Sequence, residues 1–362
     1  MVLSLSVSRS LCLPFGLVAR LLHLTILNMR SLSSAVVSVA AAFACVRAAV
    51  STTITPTTSS SSSSSIAFRT IGKDVHGNPV NVPLVGAGTW QYNDTIAYQA
   101  VCKAFAAGYT LVDTAFGYGN ERGIGQAIQD CWQGPRQELF ILTKIPGGLN
   151  PSQVLAAHEQ NLLLLGVDYV DHLMTHYPAD WKQTVASPTA RQEEWLALER
   201  IYHTGQARSI GISHYCEHHI LDILQVATVL PSINQVEYHI GSGDVDHVRE
   251  FCHHMNITFM SFSPLCGPCH IDDRKDSLID GDLVTDLALH YNHTNSNRPV
   301  TGSQVSLRFI VQQGIPVIPK SNTMDHIRSN MDLFDFELSH EDMHRLLVAT
   351  KPPAEDGDCD VP

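Results

Sequence analysis

Short apolar runs alternate with longer amphipathic segments along almost the whole chain from Ile66 onward. Runs of about five apolar residues are typical of buried strands, and the intervening segments of about twelve residues are typical of helices. Strands that alternate with helices predict right-handed βαβ units and a parallel sheet. The eight strand-like runs are Pro83–Gly88, Thr110–Val112, Glu138–Thr143, Tyr169–Met174, Ala207–Ile212, Ile233–Val236, Ile257–Phe262 and Ile315–Ile318.

Eight such units over residues 66–350 predict an α/β fold of one domain, a closed, parallel eight-stranded (β/α)8 TIM barrel, followed by a short tail at 351–362. A doubly wound open sheet is the rival fold. That fold usually has a G-x-G-x-x-G turn after its first strand. The segment 86–91 reads G-A-G-T-W-Q and lacks the third glycine, which favours the barrel.

The first 65 residues differ in composition from the rest of the chain. They contain four arginines but no Asp or Glu, and they end in the serine run Ser59–Ser65. An Arg- and Ser-rich segment without acids is typical of a transit peptide, so we predict a plastid or mitochondrial address and exclude residues 1–65 from the fold. A membrane span over residues 11–27 is disfavoured because a central Arg20 costs at least about 2.5 kcal/mol.

The secretory pathway and the cytoplasm are the alternative locations. Three N-x-S/T sequons, which begin at Asn93, Asn256 and Asn292, fit secretion. Such short matches are also expected by chance, so they do not decide the compartment.

Charge and cysteine content exclude several classes of protein. The 362 residues carry 23 Lys and Arg against 35 Asp and Glu, a net charge of −12. This balance excludes binding to nucleic acid through a broad cationic surface. With 44% hydrophobic residues, the chain can form a full core. Its nine cysteines are odd in number and spread over the chain, which predicts reduced thiols rather than a disulfide framework.

Residues that can move protons stand at the C-terminal ends of three predicted strands. Asp113 directly follows one strand, Lys144 follows the next, and His176 follows the third. Tyr118 comes five residues after Asp113. Because catalytic side chains of such barrels lie at this face, we expect these four residues to converge.

The motifs at these strand ends resemble those of the aldo-keto reductase family. The resemblance covers nearly all of residues 80–350, with the motifs in the family's order. They are D-T-A-x-x-Y-G-N-E at 113–121, T-K at 143–144, H-x-P at 176–178, G-I-S-H-Y at 211–215, N-Q-V-E-Y-H at 234–239, S-F-S-P-L at 261–265 and I-P-K-S at 318–321. It implies a monomeric, NADP-dependent aldehyde or ketone reductase, similar to the diketogluconate-reductase-like members of microbes and plants.

The resemblance identifies Asp113, Tyr118, Lys144 and His176 as a catalytic tetrad. Hydride transfer to a carbonyl builds negative charge on oxygen, which a positioned acid must neutralise. The family pattern makes Tyr118 that general acid and His176 the residue that orients the substrate oxygen. It makes Lys144 the group that lowers the pKa of Tyr118, and Asp113 the anion that holds Lys144. A lysine at about 4 Å would favour the phenolate by about 4 kcal/mol.

The same resemblance implies the contacts of the nicotinamide. Ser213, His214 and Gln235 would hold its carboxamide, and Phe262 would stack on its ring. His214 stands where the family commonly has Asn, and Phe262 where it commonly has Tyr. A histidine still donates a hydrogen bond and a phenylalanine still presents an aromatic face, so we expect binding to survive.

The adenosine end of the cofactor departs further from the family. Lys320 and Ser321 match residues that contact the 2′-phosphate, but His326 replaces the arginine that clamps it. NADPH is therefore the predicted cofactor, with NADH as the alternative. The full set of expected cofactor residues is Gly88, Thr89, Trp90, Ser213, His214, Gln235, Phe262, Ser263, Leu265, Lys320, Ser321, His326 and Asn330.

The substrate pocket is expected at Trp90, His176 and Tyr177. The last predicted helix, Ser339–Thr350, leaves only twelve residues, too few for a long loop over the pocket. We therefore predict an open site that accepts varied small carbonyl compounds. A non-catalytic, nucleotide-binding barrel that serves as a regulatory or binding subunit is the alternative function.

Two sequence features suggest other chemistry without a supporting context. The segment 266–270 reads C-G-P-C-H, which matches both a redox and a haem-attachment pattern, but we interpret it mainly as a loop, with redox sensing as a minor option. The pairs His218-His219 and His253-His254 are predicted to lie on solvated helix faces, because adjacent helical residues point in different directions. We therefore predict no metal site.

Overall fold

A computed structural model of the chain describes residues 67–267, 273–354 and 358–361. The predicted N-terminal extension at 1–65 lies outside these residues, as do Cys269 and His270 of the C-x-x-C-H segment. None of the helices in the described part of the chain combines the length and apolar character that crossing a bilayer requires.

An antiparallel hairpin, which the sequence analysis did not predict, opens the fold. Its strands are β1 (Phe68–Lys73) and β2 (Pro79–Pro83). Asp74 Oδ1 accepts hydrogen bonds from the backbone amides of His76 and Asn78 and so fixes the turn. Val80 and Val82 are buried while Asn81 is exposed, the period-two pattern of a strand with one covered face.

Seven parallel strands form the central curled sheet, in the order in which they occur along the chain. They are β3 (Ala87–Gly88), β4 (Leu111–Asp113), β5 (Phe140–Ile145), β6 (His172–Thr175), β7 (Ile210–Ser213), β8 (Ile233–Glu237) and β9 (Thr258–Phe262). Because both faces of the sheet are covered, its strands are buried and nearly continuously apolar.

Ten α-helices in the described residues surround or follow the sheet. They are α1 (Asp94–Ala106), α2 (Glu121–Cys131), α3 (Pro151–Leu165), α4 (Pro188–Thr204), α5 (Glu217–Leu224), α6 (Val248–His254), α7 (Asp282–Ala288), α8 (Gly302–Val311), α9 (Met324–Met331) and α10 (His340–Leu347). Capping side chains mark several starts: Asn150 forms a capping box with Gln153, and Pro151 occupies the first helical position.

Alternate strand residues divide the core into two clusters. Val112, Ile141 and Ile212 belong to the larger cluster, which includes the buried residues of the helices. Leu111 and Phe140, at the starts of β4 and β5, join the hairpin's valines in the smaller one. The hairpin therefore closes the end of the sheet where the strands begin, opposite the end that carries the candidate site.

The eighth predicted strand is not formed as a ladder. Val317 makes isolated parallel bridges to Val85 and to Ser261, next to the two edge strands of the sheet. The prediction of a parallel α/β fold is confirmed as a curled seven-stranded sheet. The prediction of eight regular parallel strands is therefore too high, because the described residues form seven. The proline residues Pro316 and Pro319 flank Val317 and remove backbone donors that a longer ladder would need.

The prediction of reduced thiols is wrong. Cys102 of α1 is bonded to Cys131 of α2, and Cys216 is bonded to Cys359 near the C-terminus. Cys266 is also disulfide-bonded, and Cys252 is a buried free thiol.

The C-terminal tail crosses the loops at the candidate-site end of the sheet. Gly241, in the loop after β8, lies so close to the tail that a Cβ there would come 2.4 Å from the carbonyl oxygen of Pro352. Beyond it, the Cys216–Cys359 disulfide ties the tail to the loop after β7. The tail is short, as expected, but it is fixed across this face rather than ending freely.

Candidate active site

A buried ion pair forms the centre of the candidate site. Lys144 Nζ donates to both carboxylate oxygens of Asp113, each at 2.9 Å, and to the carbonyl oxygen of Thr114 at 3.0 Å. Asp113 ends β4 and Lys144 lies on the adjacent β5, so the parallel pairing of these strands sets their distance. Both side chains are almost fully buried, which makes each charge dependent on the other.

Tyr118 reaches this pair from a 3₁₀ turn at Phe116–Tyr118, directly after β4. Its hydroxyl oxygen lies 3.4 Å from Lys144 Nζ, which donates to it. The next residue, Gly119, has φ 66°, a left-handed conformation that suits glycine and turns the chain into α2. This turn directs the tyrosine hydroxyl back over the end of the sheet.

The electrostatics of Tyr118 differ from the prediction that Lys144 lowers its pKa. Burial raises the pKa of Tyr118 well above 10, and the negative charge of Asp113 and the nearby Tyr177 add to that shift. Both carboxylate oxygens of Asp113 neutralise the lysine, so Tyr118 experiences an ion pair rather than an isolated cation. The phenol is therefore protonated at neutral pH.

His176 follows β6 and lies beside Tyr118, with the ring centroids 5.5 Å apart in an edge-to-face arrangement. Burial lowers the pKa of His176 well below 6.5, and the charge of Lys144 and the proximity of His214 lower it further. The imidazole is therefore neutral at pH 7. A neutral imidazole has one donor and one acceptor nitrogen, which suits contact with a carbonyl or hydroxyl oxygen.

The expected nicotinamide residues lie on β7 and β8, next to the ion pair. Ser213 Oγ donates to the carbonyl oxygen of Gln235 at 2.9 Å. Gln235 Nε2 donates to Asp113 Oδ2 at 2.8 Å, so the predicted cofactor residue and the aspartate of the predicted tetrad are directly bonded. The sequence suggested both residues but not their contact.

Aromatic rings form one wall of the site. The ring of His214 lies 4.8 Å from that of Phe262 and 4.4 Å from that of Tyr177, measured between centroids. Tyr177 in turn stacks on His176 at 4.6 Å. Trp181, which the sequence analysis did not name, contacts Tyr177 edge-to-face and is 82% exposed. The wall therefore runs from the expected nicotinamide residues to solvent.

A small cavity brings together predicted residues of the other end of the cofactor site. Gly88, Thr89, Ser321 and Asn330 line it, between β3, α1 and α9. A Cβ on Gly88 would come 2.6 Å from the carbonyl oxygen of Ile318, so only glycine fits there. Asn330 is buried, and Thr89 Oγ1 donates to the carbonyl oxygen of Asp113 at 2.8 Å.

Lys320 lies beside the expected substrate pocket. Its Nζ donates to Gln91 Oε1 at 2.7 Å and is positioned over the rings of Trp90 and Tyr92. Trp90 is 46% exposed, consistent with a place at the mouth of a pocket. Lys320 therefore connects the expected phosphate site to the expected substrate site.

The remaining predicted residues are more dispersed. His326 is exposed on α9. Ser263 and Leu265 are half-buried after β9, where Ser263 has φ 47°. Lys103, which the sequence analysis missed, donates to the carbonyl oxygen of Asn322 at 2.7 Å and so adds a cation next to Ser321. No motif marks Lys103, because its position depends on the packing of α1 against α9.

Two buried acids, Glu121 and Glu194, form hydrogen bonds to residues around the candidate site. Neither was assigned a role from the sequence. Glu121 accepts a hydrogen bond from Thr143 Oγ1 at 2.6 Å, and burial raises its pKa to about 7. Glu194 of α4 accepts from the backbone amides of Gly148 and Leu149, at 2.8 and 3.2 Å, and from the hydroxyl of Thr175. Burial raises the pKa of Glu194 to about 8. These bonds fix the loops after β5 and β6.

The prediction of solvated side chains is wrong for His219, whereas His218 is exposed as predicted. His219 is fully buried, and the ring nitrogens of both residues lie at hydrogen-bond distance from the carbonyl oxygen of Val361, at 3.1 and 2.7 Å. His253 and His254 are exposed, as predicted. The C-terminal tail, which the sequence analysis treated as unattached, accounts for the difference.

Comparison with known proteins was made against families, curated sequences and solved structures. Residues 84–348 match the sequence model described as the Aldo/keto reductase family. Glyoxal reductase of Bacillus subtilis (strain 168) is 34% identical over 279 residues, which cover 76% of this chain and 91% of that protein. The 9,11-endoperoxide prostaglandin H2 reductase of Trypanosoma cruzi (strain CL Brener) is 32% identical over 271 residues, or 74% and 88% of the two chains.

The similarity extends to solved structures. The crystal structure of MGS-M4, an aldo-keto reductase from a Medee basin deep-sea metagenome library, matches with a TM-score of 0.66 at 31% identity. The match covers 76% of this chain and 95% of that one. The aldose reductase from Schistosoma japonicum matches with a TM-score of 0.65 at 27% identity, over 76% and 90% of the two chains.

Proposed function

Because the chain belongs to the aldo/keto reductase family of oxidoreductases, we propose that it reduces aldehydes or ketones to alcohols with NADPH. The observation that carries this proposal is the hydrogen-bonded series from Asp113 through Lys144 to the Tyr118 hydroxyl, with a neutral His176 beside it. That series places a proton donor and an orienting group together at the end of the sheet where barrel enzymes carry their catalytic residues.

The donor set fits a nicotinamide dinucleotide. Ser213 and Gln235 offer hydroxyl and amide groups beside the ion pair, which suits a carboxamide. Gly88, Thr89, Ser321 and Asn330 line a small cavity at the end where the adenosine would bind. Lys320 supplies positive charge for a phosphate, with Lys103 nearby, and this pair supports NADPH despite the missing arginine at 326.

In the proposed mechanism, the reduced nicotinamide supplies a hydride for the carbonyl carbon. As negative charge develops on the substrate oxygen, Tyr118 donates its proton to that oxygen. Lys144 then stabilises the resulting phenolate, and Asp113 keeps the lysine charged and in place. His176, held neutral by burial, binds the substrate oxygen by a hydrogen bond and so fixes its distance from Tyr118.

Loss of NADPH absorbance tests the proposal directly. The purified full-length chain is incubated with NADPH and a panel of small aldehydes, ketones and keto-sugars. Tyr118→Phe should lower turnover by about 10²-fold or more, the usual contribution of a general acid, while NADPH binding persists. Tyr98→Phe is the control, because the Tyr98 hydroxyl contacts the exposed Asp130 on the surface.

Two outcomes would contradict the proposal. Turnover that is unchanged in Tyr118→Phe would remove Tyr118 from the chemistry. Tight binding of NADPH without oxidation by any compound of the panel would instead favour a nucleotide-binding subunit without activity.

A further inference from the structure

We propose that this protein matures in an oxidising compartment, where it is N-glycosylated at Asn93, Asn256 and Asn292. This inference does not depend on the reductase activity or on the residues of the active site. It rests on two independent features of the described residues, the state of the cysteines and the exposure of the sequon asparagines.

The cysteines are almost all paired. Of the six cysteines in the described part of the chain, five are disulfide-bonded, and only the buried Cys252 is a free thiol. The Cα atoms of the two resolved pairs lie 5.3 and 5.5 Å apart, within the range that a disulfide spans without backbone movement. Such bonds persist in secretory and extracellular environments and are rare where thiols are kept reduced.

The asparagines of all three sequons are exposed, although Thr258 of the second sequon is buried at the start of β9. Asn93, Asn256 and Asn292 are each exposed, and each begins an N-x-T triplet that ends in Thr95, Thr258 or Thr294. A sequon alone is a weak signal, because many match by chance. Exposure of the asparagine is required for a glycan on the folded chain, and all three asparagines meet that requirement.

The local backbone at two of these asparagines also suits a glycan. Asn93 caps α1 through Oδ1, which accepts from the amide of Ile96 at 2.9 Å, whereas a glycan is attached through Nδ2. Capping and glycosylation therefore use different atoms. Asn256 has φ 57° and is exposed in the turn between α6 and β9.

The modification is a group transfer from a lipid-pyrophosphate-linked oligosaccharide. Nδ2 of the asparagine forms a bond to the anomeric carbon of the first sugar while the bond from that carbon to the pyrophosphate oxygen breaks. The amide loses one proton, and the lipid pyrophosphate leaves. In the same compartment, each cysteine pair loses two electrons and two protons to a protein disulfide, which is reduced to two thiols.

Intact mass before and after treatment with peptide N-glycosidase tests the proposal, using the full-length chain from eukaryotic cells. We expect a loss of three glycan increments and conversion of Asn93, Asn256 and Asn292 to Asp, which peptide sequencing by mass spectrometry reads. A mass that the glycosidase leaves unchanged would overturn the proposal. An unchanged mass is the result expected if the chain is instead sent to a plastid or mitochondrion, as predicted from residues 1–65.

Single variants assign the sites. Thr95→Ala, Asn256→Asp and Asn292→Gln should each remove one increment; Thr95→Ala keeps the Asn93 cap, and Asn256→Asp keeps a residue that tolerates the turn. Asn295→Gln, three residues beyond Asn292 and outside any sequon, should change nothing. Because the glycosidase marks each site in the wild-type chain, the assignment does not depend on the folding of a variant.

Alkylation before and after reduction tests the cysteines of the same sample. We expect linked peptides for Cys102–Cys131 and Cys216–Cys359 in the unreduced chain. Free thiols at these four cysteines would overturn the part of the proposal that places the protein in an oxidising compartment.

Discussion

Gln235 and Asp113 share a hydrogen bond, with Gln235 Nε2 at 2.8 Å from Asp113 Oδ2. The same carboxylate receives both bonds from Lys144. Asp113 therefore orients a residue of the proposed nicotinamide site and the lysine next to Tyr118 at once. In the proposed mechanism, a single buried carboxylate links the residue that would bind the cofactor to the residue that would donate the proton.

Gln235→Leu should impair both functions. The variant removes one donor to a buried carboxylate, a loss of about 1–3 kcal/mol, so we expect kcat to fall by about tenfold and the KM for NADPH to rise. Steady-state kinetics with saturating carbonyl substrate measure both values. Gln133→Leu, at an exposed position, is the control. A higher KM with wild-type kcat would mean that the Gln235–Asp113 bond does not reach the proton donor.

His326→Arg should increase the preference for NADPH over NADH. An arginine restores a planar, always charged donor for the 2′-phosphate, worth about tenfold in the ratio of the two kcat/KM values. The measurement is that ratio, compared with the ratio for His344→Arg on α10, where the new charge is remote from the proposed phosphate site. Equal ratios in both variants would place the 2′-phosphate away from residue 326.

Glu194→Gln should change how stability depends on pH. The pKa of Glu194 is raised to about 8 in the folded protein, above its unfolded value of about 4.5. The folded chain thus holds a proton that the unfolded chain releases, and this contribution is full below pH 4.5 and lost as pH rises to about 8. The variant keeps the acceptor for Gly148 and Leu149 without titrating.

Urea unfolding at pH 5 and pH 8 measures the effect. The free energy of unfolding of the wild type should fall relative to Glu194→Gln between these values by a few kcal/mol, since each pKa unit corresponds to about 1.4 kcal/mol. The adjacent, exposed Glu193→Gln should follow the wild type. Parallel curves for all three proteins would show that Glu194 is ionised in the fold.

Replacing both Cys102 and Cys131 by serine should lower the free energy of unfolding by about 3–4 kcal/mol. The estimate follows from the loop entropy of a bond whose cysteines are 29 residues apart. Thermal unfolding with and without reductant tests it, and the double variant should lose part of the wild type's sensitivity to reductant. Cys252→Ala, which breaks no disulfide, should keep that sensitivity.

The positions of the proposed catalytic side chains could be predicted because they depend on local order along the chain. Asp113, Lys144 and His176 follow successive strands, and parallel strands place their ends at one edge of a sheet. The electrostatics could not be predicted, because the pKa of Tyr118 depends first on how deeply its hydroxyl is buried and then on the nearby charge of Asp113. Both are set by ångström-scale geometry that the residue types do not encode.

The features that the sequence analysis missed involve residues that are distant along the chain. Cys216 and Cys359 are 143 residues apart, and nothing in the spacing of the cysteines marks them as partners. The same C-terminal tail buries His219, which was predicted from the sequence to lie on a solvated helix face. The prediction of an eighth strand was wrong for a local reason instead. The prolines on both sides of Val317 limit its pairing to single bridges.

The disulfide between Cys216 and Cys359 also makes a covalent ring of the second half of the fold. Gln235, Phe262 and Lys320 lie inside this ring, and the four tetrad residues lie outside it. When the chain is stretched from its two ends, the segment between the two cysteines, which are 143 positions apart, cannot extend until the bond is reduced. About 480 Å of chain length is thereby shielded from tension. Mechanical force would therefore unfold the segment that carries the four proposed catalytic residues first, while Gln235, Phe262 and Lys320 stay enclosed in the ring.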